Sequence, residues 1–405
     1  MMGANRSLLA LINGLKKYNI ESVVLCPKKG DFTSALETAN IGYLIAPFTN
    51  WVYTKVSLNY YLFPLRILQN IIILPNLIKK VERLNPDIIY TNSSVTAVGA
   101  YLAHRLGKKH VWHIREFVRE HYKTNYVFGQ KNFLKWMNRS AAVVSISQAL
   151  KGSVLKNVSA DKYLIYNGIM SKNEMEKLKN QANVIPPHSP LKRGRFFALQ
   201  KTSHESVSPF GGGQGGGKNV EANTPFTFLN VGLIHPMKQQ MQALKAFHLL
   251  TKKYDNIRLV FVGKGRRLYT WRMRQFCKKY KLENRVDIMG YVPNPNEVYR
   301  ASDALIMCSL YEGMGRATAE AMAHGLPVIG YRSGATPELV EHGKNGLLYE
   351  GDERQLATQM EQLILNRKAA QKMGAIGREK ALEQFTTEHY VEEIHKMLSS
   401  VFLQK

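Results

Sequence analysis

Short runs of apolar, often β-branched residues alternate along the chain with longer stretches whose apolar positions return every third or fourth residue. The short runs read as strands and the longer ones as amphipathic helices, because side chains repeat with period 2 in a strand and 3.6 in a helix. In the first part, strands are expected around 22–26, 87–91, 109–114, 141–146 and 163–166. In the second part they are expected around 226–231, 258–262, 286–289, 304–307, 328–330 and 347–349. Strand–helix–strand alternation of this kind builds parallel sheets covered by helices. The expected fold class is α/β, with two Rossmann-like doubly wound lobes facing a cleft.

The pattern lapses over 171–224, where Pro, Ser, Lys and Gly dominate and residues 211–217 are glycine except for Gln214. A phosphate-binding glycine loop follows a strand and opens a helix. Neither neighbour is legible here, so the stretch reads as a flexible linker. The chain thus divides into a first lobe of 1–170, a linker of 171–224, a second lobe of 225–385 and a C-terminal helix of 386–405. Past Asp352 the pattern is wholly helical, and the last helix is expected to cross back onto the first lobe.

Composition narrows the function. The chain has 405 residues and 45% hydrophobic content, enough for two cores and too much for global disorder. Its net charge is +26. Residues 1–170 hold 22 Lys/Arg against 8 Asp/Glu, a net +14, so the first lobe is the side that meets a polyanion or an anionic surface. Cys26, Cys277 and Cys308 show no paired spacing, which fits a reducing compartment and no zinc site. The most apolar window, 61–78, is interrupted by Pro64, Arg66, Asn70, Pro75 and Asn76 and lacks the unbroken span of a bilayer crossing. No secretory leader is legible. The expectation is a cytoplasmic protein in peripheral contact with the inner face of the membrane, with Lys16, Lys17, Lys79, Lys80 and Arg83 as candidate contacts.

The chemistry concentrates in residues 309–329, SLYEGMGRATAEAMAHGLPVI, which run from a strand end through a glycine turn into a helix and onto the next strand. Gly313 and Gly315 leave backbone N–H groups open where the helix begins, and that end of a helix favours a pyrophosphate or a sugar oxygen. Glu312 and Glu320 have seven residues between them, placing one carboxylate in the turn and the other about two helical turns on. The pair suits one elongated ligand, with Glu312 on hexose hydroxyls and Glu320 on a ribose diol. Two glutamates at this spacing are more often a solvated helix face. It is the glycine turn, both carboxylates and the following Gly-Leu-Pro-Val-Ile strand together that point to a binding site.

With this block the sequence resembles the retaining glycosyltransferases of family four, the group-1 glycosyl transferases. The resemblance extends to Asn230-Val-Gly-Leu-Ile-His-Pro-Met-Lys238, Phe261-Val-Gly-Lys-Gly265 and Gly334-Ala-Thr-Pro-Glu338 in the second lobe. In the first lobe it extends to Tyr90-Thr-Asn-Ser, Trp112-His-Ile-Arg-Glu-Phe and Tyr166-Asn-Gly-Ile. It implies the GT-B fold and transfer of a hexose-type sugar, with retention and without a metal, from a nucleotide-sugar donor to a glycan or lipid-linked glycan acceptor. No cofactor is implied, the nucleotide sugar being a substrate. The setting implied is cell-surface polysaccharide or lipopolysaccharide synthesis.

Carried over position by position, the resemblance makes Glu312, His113 and Lys238 the catalytic candidates. Gly232, Lys238, Gly263, Gly313, Met314, Gly315, Arg316 and Glu320 become the donor-binding set, and Gly3, Asn92 and Arg115 the acceptor-side set. Two departures stand out. Leu233 occupies the position where the family usually carries an arginine for the phosphates, and Arg316 is the expected substitute, its planar fork suiting a phosphate. The central strand expected before the turn at Gly3 is missing from the sequence, which reads as a truncated or misassigned start. The rival classes are a catalytically degenerate binding subunit and a nucleic-acid binder. The latter rests on charge alone, without a recognition helix or a stacking aromatic signature, so no nucleic acid is expected.

Overall fold

The computed structural model of the chain describes residues 3–53, 61–118, 124–182 and 224–404. The glycine run 211–217 lies outside the described residues. The first lobe holds strands β1 (Val23–Cys26), β2 (Gly42–Ile45), β3 (Val52–Tyr53), β4 (Ile88–Thr91), β5 (Lys109–Ile114), β6 (Asn125–Tyr126), β7 (Ala142–Ser145) and β8 (Asp161–Leu164). The second holds β9 (Phe226–Val231), β10 (Ile257–Val262), β11 (Val286–Gly290), β12 (Ala304–Met307), β13 (Val328–Tyr331) and β14 (Gly346–Tyr349). All but β2, β3 and β6 match the expected strands to within about two residues, the uncertainty of any helix or strand end.

In the second lobe all six strands form one parallel sheet in the order β11-β10-β9-β12-β13-β14. Strands β9, β10, β12 and β14 are buried almost throughout, the environment that selects runs such as Phe-Thr-Phe-Leu-Asn-Val over an alternating pattern. The order reverses between β9 and β12, so the loops leaving these two strands flank a crevice at the carboxyl ends of the sheet. That switch point is where ligands of doubly wound sheets bind.

The first lobe divides differently. Strands β4-β5-β7-β8 form one parallel sheet and β1-β2 a separate parallel pair. The helix Gly3–Leu15 ties the two together. Its Ile12 packs with Cys26 and Val24, while its Leu11 and Leu15 pack with Val111, Val144 and Ile88. A two-residue antiparallel ribbon joins β3 to β6. Neither β2 nor the ribbon is legible in the sequence, because each is short and only partly buried and lacks a long apolar run.

Two segments join the lobes. The helix Thr387–Leu403 buries Tyr390, Val391, Ile394, Met397, Leu398 and Val401 in the same cluster as Leu11, Val111, Ala142 and Ile165 of the first lobe. Each large apolar side chain so buried contributes roughly 1.5–3 kcal/mol. The second segment differs from the sequence reading. The stretch expected to be linker from 171 begins instead with a helix, Lys172–Ala182, whose Met175 and Leu178 are buried. Its start is a capping box: the Ser171 amide donates to Glu174 Oε2 (2.7 Å) and the Glu174 amide donates to Ser171 Oγ (3.2 Å). Ser171-x-x-Glu174 is the signal that the Lys- and Asn-rich composition concealed.

Candidate functional site

The loop after β12 turns at Gly313 and Gly315 and enters the helix Arg316–Ala323, with Gly315 in the left-handed region (φ 81°) as its cap. Glu312 and Glu320 keep only 12% and 15% of their side chains exposed, so neither is a solvated helix face. The loop after β13 buttresses Glu312. The Ala335 amide donates to the Glu312 carbonyl (3.0 Å), and a Cβ at Gly334 (φ 57°) would stand 2.8 Å from the backbone nitrogen and oxygen of Glu312. Gly313 serves a different contact: a Cβ there would meet the carbonyl oxygen of Arg115 at 2.7 Å, so the bare glycine lets the two lobes touch. Met314 is buried, and its sulfur accepts from the Asn167 amide of the first lobe (3.2 Å).

Lys238 lies in the single turn Pro236–Lys238 after β9, and its ammonium is ion-paired with Glu312. Gly232 and Gly263 sit at the ends of β9 and β10, their amides donating to Val262 O (2.9 Å) and Gly290 O (2.7 Å). Leu233 is exposed. Beside it, burial and then the charges of Arg266 and Lys238 hold the His235 ring below its ordinary pKa, which places two cations at this loop. Arg266 was overlooked in the sequence, although Gly263-Lys-Gly-Arg offered it one residue past the glycine turn.

Arg316 does not stand as expected. Its Nε donates to Glu320 Oε1 (2.7 Å), its Nη1 to Ser7 Oγ (3.3 Å) and Gly168 O (3.4 Å), and its Nη2 to Ile169 O (2.7 Å). The guanidinium therefore latches the second lobe to the first and is not presented as a phosphate fork. Gly3 lies at the same seam, a Cβ there standing 3.5 Å from Arg316 Cδ. The other oxygen of Glu320 accepts from Tyr299 OH (3.1 Å). Burial, and then the Glu320 charge, raises the Tyr299 phenol well above its usual pKa, so it remains a donor.

Across the crevice, His113 is fully buried at the end of β5. Its Nδ1 lies 2.5 Å from Tyr90 OH and 3.5 Å from Arg115 Nη2. A guanidinium can only donate. Nδ1 is therefore the acceptor and the ring proton sits on Nε2, an atom that is buried with no hydrogen-bond partner among the described residues. Burial and then the Arg115 charge hold the ring well below its ordinary pKa, so it is neutral.

Arg115 also departs from expectation, because it is buried and fully engaged. Nε donates to Asn92 Oδ1 (2.5 Å), Nη1 to Asn167 Oδ1 (2.5 Å) and Nη2 to Tyr390 OH (2.9 Å). Arg115 and Asn92 thus hold the cleft wall together and are not offered to an acceptor. A further clamp was not foreseen: Glu338 accepts from the Gln148 and Ala149 amides (2.8 and 2.6 Å) and from Tyr166 OH (2.9 Å), tying the loop after β13 to the first lobe. A hollow of about 330 Å³ bounded by Arg332, Tyr349 and Gln355 lies elsewhere on the second lobe and contains none of these groups.

Comparison with known proteins agrees with this geometry. Residues 1–171 match the family described as Glycosyltransferase Family 4, and residues 217–380 match Glycosyl transferases group 1. The N-acetyl-alpha-D-glucosaminyl L-malate synthase of Bacillus anthracis is 32% identical over 166 residues, 41% of this chain and 43% of that protein. A GDP-mannose-dependent alpha-(1-6)-phosphatidylinositol monomannoside mannosyltransferase of Mycobacterium tuberculosis is 32% identical over 154 residues, 36% of this chain and 40% of that protein. The matches span less than two thirds of the length of such curated relatives. The crystal structure of Anabaena Alr3699/HepE in complex with UDP and glucose superposes with a TM-score of 0.70 at 22% identity, covering 98% of this chain and 96% of that one. The fold is GT-B. With a family match over each lobe and the paired glutamates at the switch point between β9 and β12, the chain belongs to the group-1 glycosyltransferases of family four.

Proposed function

We propose that the protein transfers a hexose from a nucleotide-sugar donor to a hydroxyl of a glycan or lipid-linked glycan, with retention of configuration and without a metal. The observation that carries this reading is the pair of nearly buried carboxylates at the switch point of the donor lobe, Glu312 in the glycine turn and Glu320 in the helix that the turn opens. Glu320, held by Tyr299, accepts from the ribose diol. Glu312 and the backbone amides of the turn take the hexose hydroxyls. Lys238 and Arg266 neutralise the diphosphate as it leaves, stabilising charge that develops in the transition state. From the other wall, the unpartnered Nε2–H of His113 donates to a hexose hydroxyl, which is the partner that a buried donor requires.

Closure of the two lobes excludes water and aligns the acceptor hydroxyl with the anomeric carbon. The departing phosphate accepts the acceptor proton, since the cleft wall offers no unengaged carboxylate among the groups described above. The named relatives use or bind UDP and GDP-mannose, so both bases belong in the test. The protein is screened by thermal shift against UDP- and GDP-sugars, and nucleoside diphosphate release is then followed with the stabilising donor. One donor is expected to raise the melting temperature of the parent and not that of Glu320→Ala. Stabilisation without any turnover, with or without acceptor, would assign the chain to the binding-subunit class. No stabilisation by any donor would end the reading.

A further inference from the structure

The helix Phe63–Leu84 has two unlike faces. One buries Asn70, Leu74 and Leu77 and packs with Ala46, Val98 and Leu102 of the first lobe. On the other, Leu65, Leu68 and Ile72 recur at spacings of three and four and are 63%, 52% and 66% exposed, with Ile71 exposed beside them and Tyr61 (77%) and Leu62 exposed in the turn that leads in. These positions fall on one line of a helix, and seven and eleven residues beyond Ile72 the same line continues as Lys79 and Arg83. No Asp or Glu occurs from 61 to 81, and Glu82 is the one acid beside Lys79, Lys80 and Arg83. Scattered exposed apolar residues are ordinary, but a contiguous acid-free apolar line that runs into a net-positive end marks an interaction surface.

The partner follows from chemistry and position. An apolar strip ending in lysine and arginine complements acyl chains beneath anionic headgroups, whereas a protein partner is not called for by any counter-charge in the strip. Among the described residues no helix is long and apolar enough to cross a membrane, and Pro75 with Asn76 interrupts this one, so it lies along a surface. The strip also sits at the cleft end of the lobe. The Thr49 amide donates to Asn70 Oδ1 (2.8 Å) just past the carboxyl end of β2, and Gln69 Nε2 donates to Pro47 O (2.7 Å). At the start of the helix the Phe63 ring lies tilted beside Tyr53 (5.3 Å), and the neighbouring Trp51 meets Phe128 (5.7 Å), which is itself exposed. Trp51 N donates to Val95 O in the loop after β4 (2.7 Å), at the same sheet end as His113.

We propose that this strip seats the first lobe on the headgroup–acyl boundary of an anionic bilayer, with Leu65, Leu68 and Ile72 inserted and Lys79, Lys80 and Arg83 on the headgroups. A lipid-linked acceptor then meets the cleft without leaving the membrane. The seating does not depend on the donor chemistry; only the naming of the acceptor rests on the proposed function. The full chain is floated with vesicles of phosphatidylcholine alone and with one third phosphatidylglycerol. Binding is expected to the anionic vesicles, to weaken with salt, and to fall at least tenfold in Leu68→Glu/Ile72→Glu at unchanged melting temperature. Lys79→Glu/Arg83→Glu is expected to abolish the preference for anionic lipid. If the first variant misfolds, Leu65→Gln/Leu68→Gln replaces it. Donor-dependent nucleoside diphosphate release in detergent is expected to survive in the variants, so that failure of the seating and failure of the transferase reading are told apart. Absence of vesicle binding by the parent, binding indifferent to these substitutions, or a parent dimer that the variants dissociate would overturn the proposal, the last by making the strip a contact between copies.

Discussion

In the second lobe six strands form an unbroken parallel sheet, and the groups that face the crevice hang from backbone loops at its carboxyl ends. In the first lobe the sheet is divided, and the wall of the crevice is held by side chains from distant parts of the chain: Arg115 bridges Asn92, Asn167 and Tyr390, the last from the C-terminal helix. One lobe positions its residues by topology and the other by a buried polar network. The difference implies that substitutions on the donor side act mainly on binding and chemistry. Those on the other wall act through geometry, with stability and activity moving together. Networks of this kind tolerate partial loss poorly, because each member left unpaired costs the desolvation of its polar group.

The largest effect is expected on the donor side. Glu312→Gln keeps the shape but removes the charge that pairs with Lys238, and nucleoside diphosphate release should fall by about 10²–10³ in kcat/KM, the range for losing one preorganised polar contact to a reacting group. The melting temperature should hardly change, because the turn is fixed by the Gly334 loop. A variant with near-normal turnover would remove Glu312 from the site and blur the contrast between the lobes.

On the opposite wall, His113→Ala should lower activity by about 10²-fold, comparable to removing one positioned donor. Tyr90→Phe should lower it about tenfold, mostly in kcat, as a positioning residue that orients the His113 ring. Burial raises the Tyr90 phenol well above its usual pKa, so it remains a donor at neutral pH. Nitrogen-15 NMR of the His113 ring checks this independently of turnover: the parent should show a neutral ring with its proton on Nε2, and Tyr90→Phe the same tautomer, kept by Arg115, with the Nδ1 resonance shifted by loss of the phenol hydrogen bond. An unshifted Nδ1 resonance with reduced activity would assign Tyr90 a packing role only.

What was legible in the sequence follows the same division. The donor loops could be read because a few contiguous residues satisfy the chemistry locally, a glycine turn with a carboxylate on each side. Tyr299, Glu338 and Tyr390 could not, since each acts on a partner 20 to nearly 300 positions away and has no local pattern. The partners of Arg316 are hidden for the same reason. Its place at a helix start suits a phosphate, but the seam formed by Ser7, Gly168 and Ile169 competes for it, and that seam exists only in three dimensions. The apolar window 61–78 reads as too interrupted for a bilayer crossing, but that it lies in the helix Phe63–Leu84, and which face of that helix is buried, depends on the loop 47–49 that the sequence left unassigned.

Glu338→Ala tests the clamp between the lobes. It removes the acceptor for two backbone amides and one phenol, and should lower unfolding stability by about 2 kcal/mol, the order of a lost cap with a second hydrogen bond. Urea melts give the stability, and the KM for donor should rise less than the KM for acceptor if the clamp serves the first lobe. Equal changes in both would mean that the clamp sets the spacing of the whole cleft.

The most gradual effect is set by protons. Burial holds the ring of His110 in the first lobe at a pKa of about 3, and that of His324 in the second at about 4, both against an ordinary 6.5. His110 is locked between Thr91 and Ser140 hydroxyls, both at 2.8 Å. Each ring is neutral when folded and gains a proton on unfolding once the pH is below 6.5, so the stability it contributes is complete above that value and declines as the pH falls. The decline is about 1.4 kcal/mol per pH unit for each ring. It ends near pH 4 for His324 and near pH 3 for His110, so in the last unit only the first lobe continues to weaken on this account. Hydrogen exchange resolved by peptide should therefore have β5 opening more steeply than the helix Arg316–Ala323 between pH 4 and pH 3. Equal slopes there would mean that the two lobes unfold as one unit, and that the buried network across the seam, rather than either sheet, sets the cooperativity of the molecule.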